Sequence, residues 1–446
     1  MTSSSTCRRG DCRRNFAFAI AVFVCVVPFG GSALGAALTL DDALRITIEQ
    51  NHDLKAARAQ VDAALDRLKQ SGRLPNPRLQ LSNETDAPFG NEGEYSLSAG
   101  FAQQFPIGGR LSRATEVARV DVARALAEVN VAEQELVGNV ATDFDAIVVL
   151  DQKIVLHDEL VALEASLVSA SRARQKVGEV SELDVNAAEL ELERLREERV
   201  ALAGERAAAI RTLAGLMGLA ADAAPVIDST PPAVVELPPL AQLSREALER
   251  RPDLRLLALS ADRAGAERAL ARASAWEDWD VTLGVRQDHR VILGTPPQPT
   301  DRALMFSLSV PLPLFNDNDG NISAATADET TAREQLAALR TRVENEVTGL
   351  YEQVNRLREA LGAYQTQILP LSRRNSELAR SAYRSGQISV AEVVQAERQE
   401  RDLGTSYADT LAQYLRALES LNQATVVHAG LLTQPVETAP FQRTDH

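Results

Sequence analysis

Cysteine is missing from all but the first 25 residues of this chain. The three cysteines are Cys7, Cys12 and Cys25. The remainder of the sequence therefore contains no disulfide and offers no thiolate ligand to a metal ion. That larger part of the protein must fold without covalent cross-links between side chains.

Aromatic residues and positive charge are also scarce. Phe, Trp and Tyr make up 4% of the chain, and the formal net charge is −15 at pH 7. Ala, Leu, Glu, Arg and Gln dominate, which is typical of long helices rather than of an enzyme core. An acidic chain without basic runs argues against nucleic acid or anionic lipid as a partner. The sequence has no phosphate-binding loop, nucleophile elbow or metalloprotease helix, so we expect neither catalysis nor a cofactor.

Long apolar runs are limited to the N-terminal segment. Near its start it has four arginines, Arg8, Arg9, Arg13 and Arg14. A run of apolar residues follows over 16–29, and after it come the small residues Ala33, Gly35 and Ala37. This order predicts a secretory signal peptide over residues 1–37, which is removed from the mature protein. The alternative, a retained membrane anchor, would need roughly 20 apolar residues to cross a bilayer. Nothing past residue 37 looks like a transmembrane helix, so any membrane crossing must be made by strands.

The same order of signals occurs twice along the chain. Residues 49–54, 104–107 and 178–181 match residues 249–254, 309–312 and 386–389, at offsets of 200, 205 and 208. We therefore predict two structural repeats, 38–224 and 241–430. A proline-rich linker at 225–240 separates them, and a tail at 431–446 follows.

Each repeat is predicted to contain one helix, a pair of strands and a long helical hairpin. The first helices are expected at 40–72 and 244–274, the strand pairs at 78–105 and 281–310, and the hairpins at 111–217 and 322–428. In the strands, apolar residues alternate with small or polar ones, as Leu97 and Phe101 do with Ser96 and Ser98. Alternation of this kind is typical of a transmembrane barrel strand, although a half-buried sheet in a soluble domain shows it too.

Four strands are too few to close a barrel. Barrels of this kind begin at about eight strands, and lipid does not tolerate an open sheet edge. Other copies of the chain must therefore complete the wall, and three copies would supply twelve strands. Trp276 and Trp279, next to the third strand, are predicted anchors at the membrane interface. The alternative is that they are core tryptophans at a helix end.

The predicted helices are too long for a compact domain. Residues 111–176 contain no proline and would form a rod of about 100 Å. Apolar residues recur along it in steps of three and four, as in a coiled coil. A simple filament does not fit, because the chain also has strands and an internal repeat. Each rod ends at a glycine turn, and Ser181 and Ser389 are the predicted N-caps of the returning helices.

Taken together, residues 38–428 resemble the TolC family of outer-membrane factors. Two stretches, 104–113 and 311–322, are similar to the CzcC group, the outer-membrane members of heavy-metal efflux systems. The first departs from that group's usual Glu-Leu-Gly-Gly-Lys-Arg by placing Ile107 before the glycines and Leu111 after Arg110. The resemblance implies a mainly α fold with a small β part. It would form a homotrimer with a twelve-stranded barrel in outer-membrane lipid and a twelve-helix tunnel in the periplasm.

The resemblance also implies partners and a function. The partners would be a periplasmic adaptor (membrane fusion) protein and an inner-membrane resistance-nodulation-division transporter, which supplies the energy. The subunit itself would be a passive exit duct, most simply for divalent heavy-metal cations. Two alternatives stay open: a multidrug or type I protein-secretion channel of the same fold, and a periplasmic coiled-coil adaptor or scaffold protein.

Candidate functional residues lie at the hairpin tips. By resemblance, ten residues are predicted to dock the adaptor: Val177, Gly178, Glu179, Val180, Ser181, Ser385, Gly386, Gln387, Ile388 and Ser389. Asp184 and Glu392, each six residues past its tip glycine, are predicted periplasmic gate residues that favour cations. Alternatively, they are first-turn carboxylates that stabilise helix N-termini. No metal site is predicted, because the histidines lack paired spacing; His52, His157, His289, His428 and His446 are interpreted as surface or core residues. Other acidic pairs on the helices are interpreted as surface charge.

Overall fold

The computed structural model describes residues 37–427, apart from 90–92, 221, 292–293, 295 and 297–298. The predicted signal peptide over 1–37, except its last residue, and the tail at 431–446 lie outside the described residues, as do His428 and His446. The elements of the first half are α1 (Leu40–Gln50), α2 (His52–Ser71), β1 (Arg78–Thr85), β2 (Tyr95–Phe105), α3 (Arg110–Lys176) and α4 (Glu182–Leu216).

The second half has the same order of elements. They are α5 (Leu240–Arg250), α6 (Pro252–Ala273), β3 (Trp279–His289), β4 (Asp301–Ser309), α7 (Asp319–Ala363), α8 (Leu369–Arg384) and α9 (Val390–Thr425). A mainly helical fold, with four strands and two long helical hairpins in the described residues, is therefore confirmed.

The first helix of each half is divided, and the prediction of single helices there is wrong. The break between α1 and α2 lies at Asn51, whose side chain accepts a hydrogen bond from the Leu54 N–H at 2.9 Å and donates one to the Leu216 carbonyl at 2.9 Å. A side chain that caps a helix start offers the backbone an alternative to continued helix. In the second half, Pro252 occupies the first turn of α6, where its missing N–H costs nothing.

The second rod differs from the first at a proline. The helix α3 runs for 67 residues without interruption, whereas a π-helical segment, Tyr364–Ile368, separates α7 from α8. Pro370 lies two residues after the end of that segment, and a proline ring clashes with the carbonyl four residues before it in a regular α-helix. The wider turn relieves the clash, and the Leu369 N–H bonds to the Tyr364 carbonyl five residues back.

The four strands form one antiparallel sheet in the order β1-β2-β3-β4. The two halves of the chain meet at the β2–β3 pairing, where Gly100 lies opposite Gly284. A Cβ atom on Gly284 would lie 2.6 Å from the Ala99 carbonyl oxygen. Only glycine permits this close approach of the two central strands.

Apolar residues are buried in three clusters along the helices. One joins α1, α3 and α4, and includes Leu44, Ile147 and Leu213. Another joins α5, α7 and α9 around Tyr414. The third holds the two hairpins together near their tips and contains Leu167, Val168, Ala188, Leu192, Tyr383, Val390, Val393 and Val394.

Candidate functional site

One face of the sheet is apolar and exposed. The strand registers place Leu79, Phe101, Leu283 and Phe306 in one row across all four strands. The next row is Leu81, Ala99, Val285 and Leu304. Leu304 is 85% exposed and Phe306 is 68% exposed. A contiguous apolar surface of this kind marks contact with lipid or with another protein.

Both edges of the sheet are open. Among the described residues, β1 pairs only with β2, and β4 pairs only with β3. Every residue of β1 is exposed, and so is every residue of β4 except Met305. Such edges present unpaired N–H and C=O groups and are templates for pairing with another strand.

The strands join the rods through loops that are tied to the end of α6. Gly108 and Gly109 adopt φ angles of +69° and +76°, which favour glycine. The Arg110 guanidinium then lies 2.5 Å from the Asp278 carboxylate. In the second half, the Asn318 side chain donates a hydrogen bond of 2.7 Å to the Ala271 carbonyl. Both rods thus start from one fixed region beside the sheet.

Several large apolar side chains near this region are exposed. Trp276 and Trp279 are 46% and 36% exposed, and their role as membrane-interface anchors stays a prediction. Sequence reasoning missed a second group, formed by Leu312, Leu314 and Phe315 in the loop before α7, with Phe315 completely exposed. The sequence does contain an indication of this group, because three large apolar residues stand in a loop rich in proline and asparagine. Such a loop is not expected to be buried.

The two hairpin tips have the same backbone geometry. At the first tip, the Gly178 N–H bonds to the Gln175 carbonyl at 2.9 Å and the Glu179 N–H to the Arg174 carbonyl at 3.0 Å. At the second tip, Gly386 and Gln387 make the equivalent bonds to Tyr383 and Ala382, both at 2.9 Å. This is the Schellman ending of a helix, and it needs a left-handed residue. The φ angles of Gly178 and Gly386 are +81° and +75°.

The two predicted gate carboxylates are engaged locally. The Ser181 hydroxyl accepts a hydrogen bond from the Asp184 N–H at 3.2 Å, and the Asp184 carboxylate accepts one from the Ser181 N–H at 3.1 Å. Ser389 and Glu392 form the same reciprocal pair, at 3.4 and 2.8 Å. The Ser389 backbone N–H and then its hydroxyl lower the pKa of Glu392. The geometry gives both residues the structural role of capping boxes, while the gate role stays a prediction.

The two hairpins contact each other just before their tips. The Arg174 side chain of α3 donates a hydrogen bond of 2.9 Å to the Tyr383 carbonyl, and its guanidinium lies 4.6 Å from the centre of the Tyr383 ring. The Tyr383 hydroxyl lies 3.0 Å from the Ser171 hydroxyl. The predicted docking residues therefore stand on a joined pair of hairpins and not on two separate ones.

A cluster of buried ionic groups lies behind the tips, which corrects the interpretation of the helical acids as surface charge. Glu164, Glu191 and Glu397 are 1%, 3% and 6% exposed. Arg398 and Arg401 bind Glu191 at 2.7 and 2.6 Å, and Arg380 binds Glu397 at 2.6 Å. The charged residues of this cluster occupy positions at which the periodicity of each helix predicts burial. In α3 the buried positions Leu160, Glu164, Leu167 and Ser171 follow steps of four, three and four, and Val390, Val394, Glu397 and Arg401 do so in α9.

The described histidines do not gather into a metal site. His157 is buried, with its Nδ1 atom 2.9 Å from the Lys153 carbonyl and its Nε2 atom 3.3 Å from Glu198. His289 stacks on Tyr95 with ring centres 5.2 Å apart. Within the described residues, no group of three or more His, Cys, Asp or Glu side chains is placed to hold a metal ion. In the same part of the chain, no helix is both long and apolar enough to cross a membrane.

The chain belongs to the outer membrane efflux protein family. The sequence pattern of that family matches residues 43–219 and 243–425. The predicted likeness to TolC-type channels and the outer-membrane location are thereby confirmed. The family transports material out of the cell, so the activity is transport.

Three known proteins show the relationship in more detail. The cobalt-zinc-cadmium resistance protein CzcC of Cupriavidus metallidurans is 21% identical over 404 residues, covering 89% of this chain and 92% of CzcC. A crystal structure of CusC superposes with a TM-score of 0.73 at 19% identity, covering 86% of this chain and 91% of CusC. The outer-membrane channel OprN gives 0.70 at 19% identity, over 86% of this chain and 89% of OprN. Both structural matches establish the fold.

A pair of arginine substitutions tests which face of the sheet meets lipid. Phe306 belongs to the apolar face and its neighbour Ser307 to the opposite face, and both are exposed. We expect Phe306→Arg to prevent stable insertion into the outer membrane, because an arginine near the bilayer midplane costs about 2–4 kcal/mol. Ser307→Arg, the matched control, should insert normally. The measurement is the amount of folded protein in purified outer membranes, and equal amounts of the two variants would contradict the assignment.

Proposed function

We propose that three copies of this chain assemble into one outer-membrane channel. The observation that carries the proposal is the four-stranded sheet with one apolar face and two open edges. Pairing β4 of each copy with β1 of the next would close a barrel of twelve strands without a free edge. The two hairpins of each copy would then give twelve helices around a periplasmic tunnel, in line with the resemblance to the TolC family.

The proposed cargo is divalent heavy-metal cations. The similarity to CzcC spans 89% of this chain, and the stretches 104–113 and 311–322 resemble that group. The described residues hold no cluster able to retain a metal ion. A duct needs none, because conduction requires that an ion leave as readily as it enters. The channel is passive and performs no chemistry of its own.

The proposed partners are a periplasmic adaptor and an inner-membrane resistance-nodulation-division transporter. The hairpin tips around Gly178 and Gly386 would dock the adaptor, while the transporter supplies the energy. Residues 1–37 would direct export and be removed. The mature chain would keep the two repeats at 38–224 and 241–430, the linker at 225–240 and the tail at 431–446.

Deleting the gene tests the cargo. We expect the deletion strain to become more sensitive to cobalt, zinc and cadmium salts, with the minimum inhibitory concentration falling several-fold and returning when the wild-type gene is supplied. The Phe306→Arg variant is the matched control, since it should not restore resistance. Unchanged metal resistance together with new sensitivity to lipophilic drugs, or with loss of a secreted protein, would identify a different cargo for the same channel.

Bulky substitutions at the tips test adaptor docking. Val177 is 71% exposed and Gln387 is exposed, so Val177→Trp and Gln387→Trp should fold normally. We expect both to weaken cross-linking to the adaptor in cells, because a large ring beside each glycine turn would block close approach of the adaptor to the tip. Val155→Trp, at an exposed position of α3 that lies 21 residues before its last residue, is the control. Cross-linking at the level of this control would exclude direct contact by the tips.

The gate role of Asp184 and Glu392 can be separated from their capping role. The double variant Asp184→Asn, Glu392→Gln removes both charges but keeps oxygen atoms that accept the serine N–H bonds. We expect its single-channel preference for cations over anions to fall, because a ring of carboxylates is what would favour cations. The Asp184→Ala, Glu392→Ala variant removes the caps as well and shows the effect of disturbed tips. Unchanged ion preference in both variants would exclude the gate.

A further inference from the structure

Two carboxyl groups are buried against each other between the hairpins. Glu164 comes from α3 of the first hairpin and Glu397 from α9 of the second, and they are 1% and 6% exposed. The two carboxyl groups are close enough to affect each other, and each has one buried oxygen without a hydrogen-bond partner among the described residues. Two carboxylate anions have no donor to share, so such a contact requires a proton on one of them.

Among the described residues, the arginines around this pair form ion pairs with Glu191 and Glu397 and none with Glu164. Arg380 binds the Oε1 atom of Glu397 at 2.6 Å, and Arg398 and Arg401 both bind Glu191. Among the described residues, the Oε1 atom of Glu164 and the Oε2 atom of Glu397 are shielded from water and have no hydrogen-bond donor. A buried charge without a partner costs several kcal/mol, whereas a neutral carboxyl group supplies the missing donor.

The surrounding groups favour the neutral form. Burial is the main cause, followed by the hydrogen bond and the negative charge of Glu397 and then by the charge of Glu191, and Arg380 opposes them. Together they raise the pKa of Glu164 to about 9. These surroundings favour the protonated form of Glu164 at neutral pH.

The other charged groups at this junction are already engaged. Glu400 shares Arg380 at 3.4 Å, and Asp402 shares Arg401 at 3.1 Å. His157, seven residues before Glu164 on α3, faces Glu198 of α4. The remaining neighbours are the apolar side chains of the tip cluster, including Leu167 and Val394. No other group on these helices is placed to neutralise Glu164 within the described residues.

We propose that Glu164 and Glu397 share one proton, and that this proton keeps the two hairpins packed together behind their tips. Without it, two negative charges would face each other at an apolar contact between α3 and α9. Repulsion and hydration of the charges would then favour separation of the hairpins. The shared proton thus stabilises the contact between the two halves of the chain in a pH-dependent way. This effect does not depend on the cargo of the channel.

The sign of the pH dependence follows from the direction of the shift. The ordinary pKa of a glutamate is 4.5, and the folded protein holds the Glu164 proton up to about pH 9. The contribution of this group to stability is therefore fully present below about pH 4.5 and is lost progressively as the pH rises to about 9. Alkaline pH should loosen the contact between the hairpins, and acid should tighten it.

Replacing Glu164 by glutamine tests the proposal, because glutamine resembles the protonated form. We expect the folding equilibrium constant of the wild type to fall relative to Glu164→Gln by up to about tenfold per pH unit between pH 5 and 9. The exposed Glu159 lies on the same helix, and Glu159→Gln should follow the wild type at every pH. All three are compared as full-length protein in one detergent at one concentration. Parallel curves for wild type and Glu164→Gln would overturn the proposal.

Infrared spectroscopy gives a second readout that does not depend on stability. The wild type at pH 7 should show the carbonyl stretch of a protonated, buried carboxyl group, and Glu164→Gln should lack it. If that variant does not fold, Glu397→Gln serves instead. It removes the carboxyl partner and the negative charge of Glu397, so the band should shift. A band that is unchanged in a folded variant, or is absent from the wild type, would show that no proton is shared.

Discussion

The backbone hydrogen bonds of the sheet are the constraint on which the rest of the structure depends. In lipid an unpaired N–H or C=O group costs several kcal/mol, and β1 and β4 each leave one side open among the described residues. The four strands of the described residues do not cover those edges. The two central strands, β2 and β3, already pair with each other, with Gly100 opposite Gly284. In the proposed trimer, the neighbouring copies supply the strands that pair with these two edges.

The helical part meets a different constraint, since it packs in water and not in lipid. Rods of this length have no single interior, and their apolar residues are buried in separate clusters along the hairpins. Between two of these clusters the buried positions at the contact between the hairpins are charged. Glu191 and Glu397 pair with arginines there, and Glu164 lies beside them. Buried ion pairs contribute little to stability compared with apolar packing. They do impose one alignment of the hairpins, because sliding by a single turn would leave charges without partners.

The architecture could be predicted from the sequence largely because it repeats. Alternating residues such as Leu97 and Ser98 located β2, and the absence of proline predicted the rod α3, because both patterns depend only on neighbouring residues. The divided first helices were missed because the cap at Asn51 depends on the Leu216 carbonyl, which is 165 residues away. The wide turn before Pro370 was missed because a proline can end, bend or widen a helix. The ionic cluster needed the pairing of α3 with α9, which periodicity alone does not give.

The duplication is imperfect, and the difference lies in the rods. One hairpin is free of proline along its whole length, whereas the other contains the π-helical segment Tyr364–Ile368 about two thirds of the way along its first arm. A ring of three chains would therefore not have six equivalent hairpins but two kinds in alternation. Helices bend most easily where their hydrogen-bond ladder is interrupted. When such a ring dilates, the deformation would be concentrated at three equally spaced points, and the widening would have threefold rather than sixfold symmetry.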